Sequence, residues 1–576
     1  MGGTLYEEDN KNFCGSYVYD DVQVAEHKVL KFTELLELVR QRSGNYIRLQ
    51  EGQFLRLTRS ITRQLETLGN LMPPPDKSGR VRKTLELSPA AVALLAGRRE
   101  KEALPAALEK PVAQVQKQLA ANGNSKLPAA LKAELRDYQL TGYRWLMQMI
   151  SSGIGACLAD DMGLGKTVQI LTTLLAKSGE GPSLVLAPAS VCANWVREAG
   201  RFTPTLRVHQ LRTTGRSELL EKLGERDVLV CSYGLLVSES DSLSQIAWNA
   251  VVLDEAQSIK NSRSQRAEQT RRLQAKYRIA ATGTPLENNL LELWSLMEFL
   301  NPGFLGARSS FLSRFKDSPS RLRQLISPFV LRRLKGDVLD ELPEKNEQIL
   351  HVELSEQERA LYEALRRQAL QEMNAETERF RVLAHLTRLR RLCCHPLLGA
   401  PDCGLNSSAK LEALRELAAE LRSGGHRALI FSQFTDVLEH VRALCEEEQF
   451  SYLYLDGSTP TAVRSRLVDE FQQGETDFFL ISLKAGGVGL NLTAADYVIL
   501  LDPWWNPATE DQAADRAHRI GQDKNVTVCR LVCADTIEQR VLELHARKRE
   551  LVDSVLSDSA AAAETLSVEE LLQLLK

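Results

Sequence analysis

The chain has 576 residues, 43% of them hydrophobic and 26% charged, with a formal net charge of −3. This exceeds one ordinary domain and predicts three or four, with the composition of a soluble globular protein that buries several cores. The slightly acidic balance gives no argument for a nucleic-acid partner, which would need a local basic groove. Residues 1–20 lack an apolar core behind positive charges, so no secretory signal is read there. The apolar run Ala90–Ala96 is too short to cross a bilayer. Ten cysteines lie scattered from Cys14 to Cys533 without paired spacing, the usage of reduced thiols in a cytoplasmic protein. The cluster Cys393-Cys394-His395, with Cys403 beyond it, offers adjacent ligands that point in different directions. They do not easily close one zinc tetrahedron, and plain buried thiols are the better reading.

Residues 1–130 carry no catalytic motif and read as an accessory segment. Ile47-Arg48-Leu49 and Leu55-Arg56-Leu57 alternate around Glu51-Gly52, which predicts a hairpin, and charged helical stretches flank it. The segment begins abruptly, as the tail of a longer domain would. Over 131–300, short apolar runs at Ser183–Ala187, Asp227–Cys231, Ala250–Leu253 and Tyr277–Ala281 alternate with helical stretches. Such alternation predicts βαβ units on a parallel sheet. Residues 301–400, rich in Leu, Arg and Glu at helical spacing, read as a helical insert. A second α/β lobe follows over 401–555, with strands expected at Ala428–Phe431, Ser451–Leu455, Phe478–Ser482, Tyr497–Leu501 and Thr527–Val532. Residues 556–576 read as an Ala-rich linker and a tail helix, opened by a capping box at Ser567 and Glu570. The fold class is therefore α/β: two lobes with parallel sheets, a helical insert between them and a mostly helical N-terminal segment.

The sharpest signal is Asp160-Asp161-Met162-Gly163-Leu164-Gly165-Lys166-Thr167, behind an apolar stretch and ahead of the helical run Val168–Leu175. This is the strand–loop–helix context of a phosphate-binding loop, whose backbone N–H groups and helix N-terminus cradle anions. Lys166 would reach the β- and γ-phosphates of a nucleotide, and Thr167 would hold Mg²⁺. The general pattern has Gly where this chain has Asp160; the bland alternative is a glycine turn between strand and helix. A second element supports the first. The run Ala250–Leu253 ends in Asp254-Glu255-Ala256-Gln257, roughly 90 residues past the loop. Asp254 can bind Mg²⁺, and Glu255 can orient and deprotonate an attacking water.

With these residues in view, the chain resembles the SWI/SNF-type (sucrose-non-fermenting) DNA translocases, a branch of the DEAD/DEAH-like helicase superfamily 2. The resemblance covers about 131 to 550. Leu135-Arg136-Asp137-Tyr138-Gln139 is similar to the adenine-reading motif, with Gln139 as base contact. The family's own loop carries Asp at the position of Asp160. Ala187–Ser190 and Asn194-Trp195 resemble a DNA-backbone element. Asp254–Gln257 stands for the DEAD/DEAH box, with Gln257 where His is more common. Thr282–Asn288 resembles the motif linking nucleotide state to lobe closure, and Leu331–Lys335 through Glu341-Leu342-Pro343 resembles a brace between lobes. In the second lobe, Ile430–Phe434 and Leu455–Ser458 resemble backbone-contacting motifs. Leu483–Asn491, Asp502–Pro507 and Gln512–Gln522 follow, the last being very specific.

The resemblance implies a nucleic-acid-stimulated ATPase that uses ATP and Mg²⁺ and translocates on double-stranded DNA. Arg516 and Arg519, three apart on one face of a helix, would act as arginine fingers; by themselves they read as two solvated arginines. The run Gly486–Gly489 permits close backbone approach to phosphate, with Gly489 placed at the nucleotide; a loop needing positive φ is the alternative. Trp504 and Trp505 would contact the track or seal the cleft, or simply pack in a core. Donors of this kind bind phosphate oxygens without reading bases, so binding should fall with salt. The lean chain points to a bacterial member, cytoplasmic and nucleoid-associated, acting on a DNA-bound protein such as RNA polymerase. The rivals are a strand-separating DNA or RNA helicase, a catalytically dead nucleic-acid scaffold, and a nucleotide switch without a track.

Overall fold

The computed structural model describes residues 125–545 except 212–215, 284–289, 316–318, 340–341, 373–378 and 487–489, together with short elements before residue 125. The chain separates into two compact units. The first comprises Met1–Ala159, Thr167–Pro285 and Leu290–Arg332, and the second Asp160–Lys166, Leu286–Asn289 and Arg333–Lys576.

The first unit is built on a seven-stranded sheet. Its strands are β1 (Ala156–Leu158), β2 (Ser183–Ala187), β3 (Arg207–Gln210), β4 (Asp227–Ser232), β5 (Trp248–Asp254), β6 (Ala275–Ala281) and β7 (Val330–Leu331). They run in the order β7-β1-β6-β5-β2-β4-β3, every pair parallel. A parallel sheet covered on both faces needs apolar residues at successive positions, and Leu184, Val185 and Leu186 are all fully buried. Helices α1 (Asp137–Ser151), α2 (Lys166–Ala176) and α3 (Ala189–Phe202) accompany the sheet. Because strands of such a sheet all point one way, the loops after β1 and β5 leave from the same edge, where α/β proteins hold ligands.

The second unit carries a six-stranded sheet of β8 (Lys345–Val352), β9 (Ala428–Ser432), β10 (Tyr452–Leu455), β11 (Phe478–Ser482), β12 (Tyr497–Leu500) and β13 (Val526–Cys533). The order is β8-β13-β12-β9-β11-β10, again all parallel. Successive side chains point to opposite faces, and each face has its own core. Ile430, Phe478, Leu480 and Ile499 join one cluster; Leu429, Phe431, Phe479 and Val498 join the other. Around the sheet lie α4 (Glu356–Glu372), α5 (Arg379–Cys394), α6 (Ala409–Ser423), α7 (Thr435–Glu447) and α8 (Pro507–Ala514).

Residues 301–400 carry helices together with β7 and the start of a six-stranded sheet at β8, two strands the sequence reading did not contain. Before residue 125 the described residues are partly helical, as at Pro89–Ala96, and also form three short antiparallel pairs. One of them, Tyr46–Arg48 with Phe54–Arg56, sets Ile47 opposite Leu55, the hairpin that the alternation predicts. Its turn, the tail over 556–576 and Cys14 lie outside the described residues. Among the described residues no helix is long and apolar enough to cross a membrane.

Candidate functional site

The glycine loop follows β1, and α2 begins at Lys166. Gly163 and Gly165 have φ of +86° and +75°, a backbone that L side chains rarely adopt. The Lys166 ammonium donates to the Asp160 and Asp161 carbonyls at 2.6 and 3.1 Å. Asp160, which breaks the general glycine pattern, is fully buried, and its carboxylate has a structural job. Arg333 grips both oxygens, with Nε 2.8 Å from Oδ1 and Nη2 on Oδ2. Main-chain bonds run alongside: the Asp161 N–H donates to the Arg333 carbonyl at 3.0 Å, and the Lys335 N–H to Asp161 Oδ2 at 3.0 Å. The Arg333–Lys335 segment thus fixes the loop's shape from beside it. Of the loop residues proposed to touch nucleotide, Asp161 spends one side-chain oxygen on this support, while Met162 and Leu164 are buried.

At the end of β5, Asp254 is held by two donors. Trp195 Nε1 donates to Oδ2 at 2.7 Å, and the Glu255 N–H to Oδ1 at 3.0 Å. Trp195 is almost fully buried on α3, so its indole fixes the carboxylate from behind. Tyr233 donates its hydroxyl to the Asp254 carbonyl at 2.8 Å. Burial pushes the Tyr233 phenol well above its usual pKa, with the Asp254 and Glu255 charges adding to the shift, which keeps the donor protonated. Cys192 is likewise pushed up to about 11, first by burial and then by Asp254. Glu255 sits at φ +48°, left-handed without being glycine. Its Oε2 accepts from Gln257 Nε2 at 2.9 Å, and Gln257 Oε1 accepts from the Thr282 hydroxyl at 2.9 Å. Gln257, at the position where the family more often has His, thus bridges Glu255 and Thr282.

The expectation that Arg516 and Arg519 share one helical face is corrected. Helix α8 ends at Ala514, and both arginines lie in the turns beyond it. The Arg516 N–H donates to the Ala513 carbonyl, the Arg519 N–H to the Ala517 carbonyl, and the Arg516 carbonyl itself accepts the Leu492 N–H at 3.0 Å. Neither arginine N–H reaches four residues back, as an α-helix requires. Nor are they solvated arginines: Arg516 is buried, 1% exposed, with Nη2 3.7 Å from Met162 Sδ within the second unit. Arg519 donates to the Leu490 carbonyl at 3.3 Å, and a Cβ added at Gly163 would stand 3.1 Å from its Cγ. Lys335 steadies the same turns, donating to Asp515 Oδ1 at 2.8 Å and to the His518 carbonyl at 2.6 Å. Burial lowers its pKa against the pull of Asp515.

Gln139 is buried in the first turn of α1, where its Oε1 accepts the Arg136 N–H at 3.0 Å and its Nε2 lies 3.3 Å from the Tyr138 hydroxyl. The carboxamide caps its own helix. Thr167 is partly exposed in the first turn of α2. Gly489, with Gly487 and Val488, lies outside the described residues, as do Thr284–Asn288. Trp505 packs against the second unit's core with the Arg390 guanidinium 4.9 Å from its ring centre. Sequence reasoning found the residues of the loops but missed what holds them: Arg333 behind Asp160, Trp195 behind Asp254, Lys335 behind Arg516 and Arg519. Trp195 and the two basic residues stood inside quoted motifs, but nothing in their spacing showed which carboxylate each would meet.

A parallel sheet with a glycine–lysine loop after one strand and an Asp-Glu pair after another, joined to a second parallel-sheet lobe, defines a two-lobed P-loop protein with RecA-like lobes. The chain belongs to the SNF2-related family: the SNF2-related domain matches residues 138–398 and the helicase conserved C-terminal domain matches residues 409–521. YwqA of Bacillus subtilis (strain 168), which bears a provisional ATP-dependent helicase/translocase name, is 39% identical over 475 residues, 78% of this chain and 51% of its own. The ISWI chromatin-remodeling complex ATPase CHR11 of Arabidopsis thaliana is 37% identical over 494 residues, 80% of this chain and 46% of its own. The chain spans about half the length of these relatives. A solved Sulfolobus solfataricus SWI2/SNF2 ATPase core in complex with dsDNA is 36% identical, covering 75% of this chain and 96% of that one, with a TM-score of 0.39.

Proposed function

We propose that this chain hydrolyses ATP and uses the cycle to move along double-stranded DNA and displace protein bound there. The observation that carries this reading is the chain of hydrogen bonds from Glu255 through Gln257 to Thr282. It joins a carboxylate suited to activating water to the segment that leads out of β6, the connection a motor needs between chemistry and movement. Relatives named as helicase, translocase and chromatin-remodeling ATPases agree with it.

In this reading Lys166 and the backbone N–H groups of the Asp161–Thr167 loop hold the phosphates. Lys166 now donates to neutral carbonyls, which anionic phosphate oxygens would replace with stronger charge-assisted bonds. The positive-φ glycines hold the loop in a backbone form that L side chains rarely adopt, as a cradle of N–H groups around phosphate requires, so the loop fits a nucleotide. Thr167 and Asp254 would hold Mg²⁺, and the two donors on Asp254 orient its oxygens for that task. Bound Mg²⁺ neutralises phosphate charge. Glu255 orients the attacking water and takes its proton. Arg516 and Arg519 stabilise the charge that develops on the transferred phosphoryl group, an effect on the order of 10³–10⁵ in rate. Gln139 would contact adenine through Nε2, since its Oε1 serves the helix. Gly489 would approach the phosphates from the second lobe.

DNA-facing groups of this kind bind backbone, so affinity should fall with salt and ignore sequence. A bacterial cytoplasm with the nucleoid as workplace, and a DNA-bound enzyme such as RNA polymerase as the displaced partner, complete the proposal. The test is ATP turnover with no nucleic acid, single-stranded DNA, duplex DNA and RNA, with Lys166→Ala as blank. Strong stimulation by duplex DNA that the variant lacks supports the proposal. Stimulation by single strands or RNA with strand displacement replaces it with a helicase, and binding without turnover replaces it with a scaffold.

A further inference from the structure

Two segments of the second lobe are tied together from behind by a side chain to which no motif assigns a role. Arg390, on α5, is 1% exposed. Its Nη2 donates to the Pro503 carbonyl and lies 3.9 Å from Asp502 Oδ2. The same guanidinium stands 4.9 Å from the Trp505 ring centre and 5.7 Å from that of Phe434. Asp502 is fully buried and accepts the Ser432 hydroxyl at 2.5 Å and the Gln433 N–H at 3.3 Å. One planar cation therefore touches Asp502, Pro503 and Trp505 at the end of β12 and Phe434 at the end of β9, while its counter-ion bonds Ser432 and Gln433.

The neighbouring contacts make the Leu501–Trp505 segment stiff. Lys410, on α6 and 1% exposed, donates to the Leu501 carbonyl at 2.9 Å and is neutralised by Glu538 at 2.5 Å. Glu510 accepts the Trp504 N–H at 2.7 Å. A loop that merely connected β12 to α8 would have no need of two buried cations, each of which is costly to desolvate and is retained only with its partner. Arginine suits the place because its plane can lie beside two rings while one nitrogen donates to the Pro503 carbonyl and faces Asp502; lysine has no such plane.

We propose that Arg390 is a positioning residue that locks the Ser432–Phe434 loop and the Leu501–Trp505 segment into one rigid block, so that a nucleic-acid backbone bearing on either segment loads both. The part that concerns nucleic acid rests on the translocase reading; the rigid block does not. The contacts of Arg390 go to Asp502, Pro503, Trp505 and Phe434 and to none of Lys166, Asp254 and Glu255, so its loss should leave ATP turnover without DNA unchanged while weakening the response to DNA.

The experiment uses the full chain and two variants. Arg390→Lys keeps the charge and so keeps Asp502 paired; Arg390→Gln with Asp502→Asn removes both charges together, in case one variant does not fold. Amide hydrogen exchange without DNA is followed at Gln433 and Trp504, and ATP turnover is titrated with duplex DNA. The block predicts that exchange at both amides accelerates together, by tenfold or more, in either folded variant. It also predicts a half-saturating duplex concentration raised roughly tenfold with turnover in the absence of DNA within twofold of the parent. Unchanged exchange at either amide overturns the block. Accelerated exchange with an unchanged duplex titration overturns the role in DNA engagement. A parent chain that no nucleic acid stimulates overturns the translocase reading, and the exchange data still decide the block.

Discussion

Thr282 donates its hydroxyl to Gln257 Oε1 at 2.9 Å, and the other end of the same carboxamide holds Glu255 at 2.9 Å. An amide can do this in only one orientation, because one end donates and the other accepts. Gln257→Ala removes both bonds, while Gln257→Glu repels Glu255. The expected outcome for Gln257→Ala is a fall of roughly tenfold in DNA-stimulated kcat, about 1.4 kcal/mol of barrier, with KM for ATP little changed. A rise in KM with kcat unchanged would instead show that Gln257 serves binding and not the coupled step.

Trp195 gives a second prediction. Trp195→Phe keeps most of the buried ring and deletes the donor on Asp254. The half-saturating Mg²⁺ concentration should rise severalfold, and metal titrations of turnover at saturating ATP would read it. An unchanged Mg²⁺ dependence would mean that the indole packs α3 without orienting the carboxylate.

The Lys410–Glu538 pair is buried on both sides, 1% and 0% exposed. Lys410→Met strands the Glu538 carboxylate and should cost about 3–5 kcal/mol in unfolding free energy. Adding Glu538→Leu should recover part of that, though not all, because Glu538 also accepts the Cys533 N–H at 2.9 Å. Denaturant unfolding of the two single variants and the double variant checks this as a cycle.

Acid should find Asp227. Burial alone would raise its pKa, but Arg207, the Gly224 N–H and His209 outweigh it and hold the group at about 2, below the usual 3.8. A folded-state pKa lower than the unfolded one contributes stability that is fully present above about 4 and is lost as pH falls toward 2. Asp227→Asn should therefore be less stable than the parent at pH 7, and the difference should shrink as pH falls from 4 to 2. Denaturant midpoints across that range measure it; a gap that stays constant would place the effect outside the ionised carboxylate.

The strands buried on both faces were legible because their residues are apolar without interruption: Ser183–Ala187 and Phe478–Ser482 match their expected spans residue for residue. In the two parallel sheets, three strands were not legible, for physical reasons. Lys345–Val352 lies at the edge of its sheet with most side chains exposed, and so shows neither alternation nor an apolar run. Arg207–Gln210 is another edge, and Val330–Leu331 has only two residues. In the candidate site, the motif residues could be read, but their partners could not. Arg333 and Asp160 are 173 residues apart, and Trp195 and Asp254 are 59 apart. The spacing of Arg516 and Arg519 suggested a helix because spacing cannot show which carbonyls their N–H groups meet.

Glu255 holds its carboxylate from a left-handed backbone, and this matters to anyone who wants to arrest the protein with nucleotide in place. A residue of opposite conformational taste would disarm the site by moving the chain as well as by removing the charge. Glycine would relax the turn, and a β-branched residue would resist it. Glutamine keeps length, shape and backbone demand while surrendering the negative charge, so, under the proposed function, Glu255→Gln is the substitution expected to leave a stationary clamp suitable for trapping.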